Sequence, residues 1–544
     1  MNRIYLFLSL LLVSLLTTQA QEVPHHISNV AIYDFIDELA NKGIIELNSA
    51  IKPYSRLTIA NALQKANHHP SLSKRQQKEV EFYLRDFNKE LQPGKDFNKR
   101  FDAWYYTDSL FKLTVNPIIG GQFFNNGNAT EYHRWGGAEF YGTIGKHVGV
   151  YGSLRDNHES RFLGGSDYII KRPGAIYKGD GLAKDYSETR GGITYSWKWG
   201  SIGLHKDHVA WGSGYSEAGI LSGRAPSYGY ISFKMTPTKW LEFNYMHGWL
   251  VSEVVDSVRS YPVYGDDRRI YVSKYISANM FTIKPMKKLY VSFGNSIIYA
   301  DTEFNAAFAV PFLFYKSSDH TYNSWDNWVG QNAQMYLDIS SRQIKNLHLY
   351  TSVFIDEIAL GRMFDSEQQS NHVALKLGAK ANDILPNTSI TVEYTRIRPM
   401  TYQNFVPSIT YTSNSFFLGS YMGDNAEEIY LSARFKPIRG LDLQASYTKV
   451  RKGKDYMQIL NDGEIDLHPE INPEHERRGL PFINEERYTN QSFTFKASYQ
   501  IINDGFIFIE ATKNDFGGPD MELYTNPFYL EGDNILSFGM NFGF

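Results

Sequence analysis

Three groups of aromatic and polar residues carry most of the chemistry this sequence offers. Trp211, Tyr215 and Arg224 fall within WGSGYSEAGILSGRAPS, and Tyr322, Trp325, Asp326 and Trp328 within HTYNSWDNWVG. Tyr402, Phe405, Tyr411 and Phe417 form a third group in one later segment. Aromatic faces stack on the apolar C–H side of a pyranose ring, while amide, carboxylate and guanidinium groups bond its hydroxyls. The first two groups are therefore candidate glycan-binding residues, and the third is a weaker one. The same residue types have a second use: they pack loops together or form the girdle a membrane protein carries at its interfaces.

Other constellations are poorer. GYSEA from Gly214 nearly imitates a serine nucleophile elbow, but the closing glycine and the strand-to-helix setting are missing. HPEINPEHERRGLPFINEE from His468 holds two histidines and several glutamates at spacings that match no known metal site. NDGEID from Asn461 lacks calcium ligands in register. The 544 residues include no cysteine, which removes disulfides, zinc–thiolate sites and iron–sulfur clusters. A net charge of −3 and the lack of a strongly basic stretch give no footing for nucleic acid. The expectation is a non-enzymatic protein with no cofactor and no metal.

What positions the candidate residues follows from the rest of the chain. MNRIYLFLSLLLVSLLTTQA has Arg3, an apolar run from Leu6 to Leu16 and small residues at Thr18 and Ala20. An apolar core of roughly 11 residues is short of the roughly 20 of a spanning helix, so residues 1–20 read as a secretory signal. From 21 to about 100 the period is helical. Ile32, Phe35, Ile36 and Leu39 share a face that Gly43 ends, and Ser55 caps a second helix with Ile59, Ala60 and Leu63. Ser73 and Gln76 form a capping box for a third, carrying Val80, Tyr83, Leu84, Phe87 and Leu91. Three such short helices need a surface to dock on.

From residue 101 to 544 the period becomes two. In SFTFKASYQI, Phe493, Phe495, Ala497, Tyr499 and Ile501 alternate with Ser492, Thr494, Lys496, Ser498 and Gln500. LDLQASYT from Leu441 and the terminal ILSFGMNFGF behave alike. Strands centre near residues 114, 139, 152, 193, 205, 232, 245, 279, 294, 335, 351, 375, 392, 431, 445, 495, 509 and 539. Even-numbered links are tight turns such as GK at 145, PMKK at 285 and IND at 502. The links after strands three, nine, thirteen and fifteen run to about 30–40 residues, the asymmetry of a barrel with short periplasmic turns and long outer loops. A sheet crosses hydrocarbon only when closed, since every backbone polar group there needs a partner. The fold class is thus an all-β transmembrane barrel of about 18 antiparallel strands with a small N-terminal periplasmic α-helical bundle. Lumen-facing Glu242, Lys376, Glu393, Arg434, Asp442 and Lys496 include both signs, which suits mutual pairing in a filled lumen.

HKDHVAWGSGYSEAGILSGRAPSYGYISF, followed by PTKWLEFNYMHGWL, resembles the signature region of the Wzi-type capsule-assembly outer-membrane proteins. YDFIDELANKGII, KPYSRLTIANAL and SWDNWVGQNAQMYLDIS extend the resemblance over nearly the whole mature chain. It implies a plugged barrel in the bacterial outer membrane that binds capsular or extracellular polysaccharide without catalysis. Lipopolysaccharide would surround it, and periplasmic export components would meet the helical bundle. The alternative is a porin-like channel for oligosaccharides or other small solutes, which shares the polar inner face.

Overall fold

The computed structural model describes residues 22–91, 100–179, 181–322, 331–459, 465–467 and 478–543. The apolar leader and Phe544 lie outside these. Three helices come first: α1 (Val30–Asn41), α2 (Arg56–Ala66) and α3 (Lys74–Leu91). Eighteen strands then close into one antiparallel barrel. In chain order these are β1 (Phe111–Asn125), β2 (Thr130–Ile144), β3 (Val148–Glu159), β4 (Lys184–Trp197), β5 (Gly200–Asp207) and β6 (Tyr228–Thr238). Next come β7 (Leu241–Val255), β8 (Tyr271–Met286), β9 (Leu289–Ala300), β10 (Gln331–Ser341), β11 (Leu347–Glu357) and β12 (His372–Asn382). The wall ends with β13 (Thr388–Ile397), β14 (Ala426–Phe435), β15 (Leu441–Gly453), β16 (Glu486–Ile502), β17 (Gly505–Gly517) and β18 (Asn534–Phe542). Closure is by β18 on β1, with Phe538 opposite Phe123.

The two-residue period sorts the wall as the sequence demands. Phe123, Leu204, Leu377, Phe493, Phe495, Phe538 and Met540 stand outward and exposed, whereas Ser537 and Gln500 face inward and are buried. An apolar girdle around a closed sheet is stable in hydrocarbon, so this is a transmembrane barrel. Links 145–147, 198–199, 287–288, 342–346, 383–387, 436–440 and 503–504 are short and lie at one end. Left-handed residues make several of them tight: Gly145, Lys288, Asn346, Asp383, Asn387, Gly440 and Asp504 all have positive φ. The links 160–183, 208–227, 301–330, 398–425 and 454–485 leave from the other end.

The helices fill the short-turn mouth. Ser55 Oγ accepts from the Thr58 N–H at 3.2 Å, and Ser73 and Gln76 bond each other reciprocally at 2.9 and 3.2 Å. Gly43 ends α1 with φ 77°. Ile36, Leu39, Ile59, Leu63, Val80, Tyr83 and Phe87 form the bundle core. The polar sides of the helices then meet the barrel instead of water. Asp34 pairs with Lys380 (3.3 Å) and with Arg434, Glu38 with Lys436 (3.7 Å), and Tyr83 OH donates to Gln500 (2.8 Å). The lumen charges also pair within the wall: Lys376 with Glu393 (3.6 Å), Lys234 with Glu242 (3.9 Å), Arg434 with Asp442 (3.4 Å) and Lys496 with Glu510 (3.3 Å).

His25, just before α1, packs edge-on against Phe87 at 5.3 Å, and burial lowers its pKa from 6.5 to about 4. A released segment therefore binds a proton that the docked one refuses. The histidine's contribution is complete above pH 6.5 and is lost as pH falls toward 4. Docking should weaken by about 2 kcal/mol from this group between pH 7 and pH 5. Glu79, raised by burial to about 7, works in the opposite sense. The difference in pH slope between wild type and His25→Phe isolates the histidine. Amide exchange of residues 22–91 at the two pH values measures it, and equal slopes would disprove the assignment.

Candidate functional site

The strand β5 stops at Asp207, and only Gly191–Trp197 of its neighbour β4 pair with it. From His208 the chain leaves the wall and turns into the lumen. The WGSG segment makes that turn: Ile51 and Lys52 pair with Trp211 and Ala210 as a two-residue antiparallel ribbon, and the Gly212 N–H donates to Ala50 O at 2.7 Å. Gly212 has φ 92°, a left-handed value that side chains disfavour. Gly219 passes so close to the wall that a Cβ there would lie 2.4 Å from the Ser352 Cβ.

Buried carboxylates on the wall hold this loop. The Ser213 N–H and hydroxyl donate to Asp338 at 2.6 and 3.0 Å. The Tyr215 and Ser216 N–H groups donate to Glu393 at 2.6 and 3.1 Å, joined there by the hydroxyls of Ser216 and Tyr350. The serine of GYSEA thus serves the loop-to-wall contact. Trp211 is 3% exposed and lies edge-on to Tyr336 at 6.2 Å. Tyr215 OH meets His348 Nδ1 at 2.8 Å, with Lys380 Nζ 4.0 Å from its ring centroid. Arg224 is buried, donates from Nε to Arg172 O at 3.0 Å, and lies 5.5 Å from the Phe416 ring.

Link 398–425 folds inward as well. Tyr402 stacks on Tyr411 (5.7 Å), both pack on Phe354, and the Ser222 N–H donates to Leu418 O at 2.8 Å. Trp211 of the first group and Tyr402, Tyr411 and Phe417 of the third, separate in sequence, thereby share one core with Ile220, Leu221 and Tyr421, while Phe405 packs on Met400 and Tyr456. The rings of Trp211, Tyr402 and Tyr411 are buried in that packing. Tyr322 ends a short helix, Tyr315–Tyr322. Trp325, Asp326 and Trp328 lie outside the described residues, as do the NDGE stretch from Asn461 and both histidines of the segment from His468.

A cavity of about 640 Å³ remains between the plug, strands β14–β18 and β1. Its wall includes the polar face read from the alternation, Gln444, Ser446 and Thr448 of β15 and Ser492 and Thr494 of β16, joined by Thr512 and Asn514 of β17. Tyr421, Tyr430, Tyr488, Tyr524 and Tyr529 add aromatic surface, and segments 168–173 and 524–526 close the long-link side. Lys171 Nζ pairs with Glu428 at 2.6 Å and lies 5.1 and 4.9 Å from the Tyr421 and Tyr430 rings. Arg172 pairs with Glu159 at 2.7 Å. The volume falls within the range of about 300–1,000 Å³ typical of small-ligand sites. Hydroxyls and amides beside tyrosine rings suit a polar, ring-shaped ligand rich in hydroxyl groups. None of these tyrosines was among the candidates from sequence. The segments DYIIKRPGAIY and MELYTNPFYL, which mix aromatic and polar residues, were the available signal.

No protein-family model matches the chain, and no characterised protein matches it in sequence. Its fold is similar to that of Wzi, described as an outer-membrane protein involved in group 1 capsule assembly in Escherichia coli and a carbohydrate-binding β-barrel. The match has 12% identity and a TM-score of 0.57, and covers 96% of this chain and 100% of that one. OprD of Pseudomonas aeruginosa (11% identity, 79% of this chain, 94% of that one, TM-score 0.41) and OccAB2 of Acinetobacter baumannii (7%, 79%, 97%, 0.44) are also similar. At these identities the likeness is one of fold.

Proposed function

We propose that this chain is a non-enzymatic barrel of the bacterial outer membrane that binds surface polysaccharide and supports capsule or exopolysaccharide assembly and attachment. The observation that carries the reading is the cavity: tyrosine rings beside hydroxyl and amide side chains, in a lumen partly occupied by inserted chain. The sequence resemblance to Wzi-type proteins and the fold shared with a carbohydrate-binding barrel support it. In this reading the long links face the cell exterior, among lipopolysaccharide. The helical bundle faces the periplasm, where export components can reach it.

Tyr430 and Asn490 line the cavity from adjoining parts of the wall. Purified protein in detergent should bind polysaccharide extracted from the producing cells, and Tyr430→Ala/Asn490→Ala should weaken that binding by about tenfold. Unboiled electrophoretic migration shows whether the variant barrel stays closed. Steady single-channel currents in planar bilayers, together with no glycan binding by wild type, would replace this reading with a solute channel.

A further inference from the structure

We propose that His26, Asp207 and His208, with Glu188 beside them, form a zinc-type divalent metal site that fastens the N-terminal segment to the barrel wall. His26 Nε2 lies 3.3 Å from His208 Nδ1 and 3.7 Å from Asp207 Oδ1, and His208 Nδ1 is 3.9 Å from that oxygen. Glu188 Oε1 is 3.5 Å from His208 Nδ1. Ligands about 2.1 Å from a tetrahedral zinc stand about 3.4 Å from one another, so these separations need little adjustment to enclose an ion. Asp207 and His208 are buried and His26 is 9% exposed, and the ligand set of two imidazoles and carboxylate oxygens is one zinc accepts.

The surroundings support ligation. Tyr151 OH donates to Asp207 Oδ2 at 2.9 Å, which orients the carboxylate and leaves Oδ1 toward the histidines. Arg155 bonds Glu188 through Oε2 at 3.0 Å, so Oε1 is the oxygen turned to His208. Ser28 Oγ lies 2.6 Å from His26 Nδ1. Without metal, the Ser28 N–H (3.2 Å) donates to Nδ1, and Nε2–H donates to His208. On loading, the imidazole proton moves to Nδ1 with Ser28 Oγ as acceptor, and Nε2 takes the ion. Arg190, 3.4 Å from Asp207 Oδ1, competes for that oxygen and limits affinity.

Position gives the site its purpose. His26 lies in the segment that leads into α1, and Asp207–His208 is where the wall strand becomes the inward loop. One ion there would tie both inserted pieces of chain to β5. The inference does not depend on what occupies the cavity.

The full chain, stripped with a chelator in detergent and titrated with zinc chloride, should bind about one ion per molecule. His26→Gln and His208→Gln should each weaken binding by at least tenfold, and Tyr151→Phe by about tenfold. Zinc should also slow proteolysis of the N-terminal segment in wild type and not in the His26→Gln variant. An X-ray absorption spectrum of the zinc-loaded wild type needs no substitution and should show two imidazoles. Stoichiometric zinc retained by the double histidine variant, one or no imidazole in the spectrum, or no zinc bound by wild type would each overturn the site.

Discussion

Glu393→Ala should release the inward loop and destabilise the barrel by about 3–5 kcal/mol, the cost of breaking a buried, hydrogen-bonded ion pair. The carboxylate is 1% exposed and takes the Tyr215 and Ser216 N–H groups and two hydroxyls, with Lys376 at 3.6 Å. Removing it strands the two N–H groups and leaves the Lys376 charge without its partner in a buried setting, whereas the Ser216 hydroxyl keeps Glu428 Oε1 at 3.3 Å. Asp338 still holds Ser213 and the Ser222 N–H still bonds Leu418 O, so the loop should loosen around Tyr215 and Ser216 and not wholly. Glu393→Gln keeps an acceptor and the shape but loses the charge, and should cost less than the alanine variant. Denaturant unfolding in lipid vesicles gives the stability change, and protease sensitivity of residues 214–227 locates it. A variant as stable and as resistant as wild type would mean that the loop is held elsewhere. Planar-bilayer recordings add a second reading, with conductance of the alanine variant above that of wild type.

The wall was legible because lipid imposes a simple rule. Each strand must show apolar side chains to hydrocarbon at every second position, so Phe493, Phe495 and Phe538 announce their strands locally. Each of the eighteen centres read from the alternation falls within an observed strand. The helix boundaries were legible for a similar reason: capping by Ser55 and by the Ser73–Gln76 pair involves residues within one turn of each other. The pairing of lumen charges followed from both signs sharing one face.

The direction of the long links was not legible. WGSG marks a tight turn, but whether that turn points outward or into the lumen depends on Asp338, Glu393 and Ala50, all far away in sequence. Sequence therefore leaves Trp211 and Tyr402 open to glycan stacking and to loop packing alike, and only their common core places them. The cavity rings escaped for another reason. Tyr430 and Tyr488 occupy inward positions that alternation assigns to polar residues, and tyrosine satisfies that pattern with its hydroxyl while adding a ring. His26 and His208 meet across 182 positions, a separation no spacing motif covers.

Besides the Ile51–Lys52 ribbon, a polar chain joins the inserted loop to the helical plug, and Arg342→Ala should break it at its most connected point. Arg342 is 2% exposed and donates to Asn41 Oδ1 (2.7 Å), Asp37 Oδ1 (2.7 Å), Leu47 O (3.3 Å), Ser49 Oγ (3.2 Å) and Ser340 Oγ (3.1 Å). Ser340 Oγ meets His348 Nε2 at 2.8 Å, and His348 Nδ1 meets Tyr215 OH at 2.8 Å. The connection from α1 to the inward loop thus runs Asp37, Arg342, Ser340, His348, Tyr215. Losing the guanidinium leaves Asp37 charged and buried without its cation, a cost of about 3–5 kcal/mol. A lysine cannot reproduce the planar fork, so Arg342→Lys should recover only part of it. If loop and helices are coupled here, Tyr215→Phe and Arg342→Ala should be non-additive by about 0.5–3 kcal/mol in a double-mutant cycle. Amide exchange of α1 should rise in Tyr215→Phe as well as in Arg342→Ala. Strict additivity, with α1 protected in Tyr215→Phe, would mean that the helices and the loop fill the lumen as independent pieces.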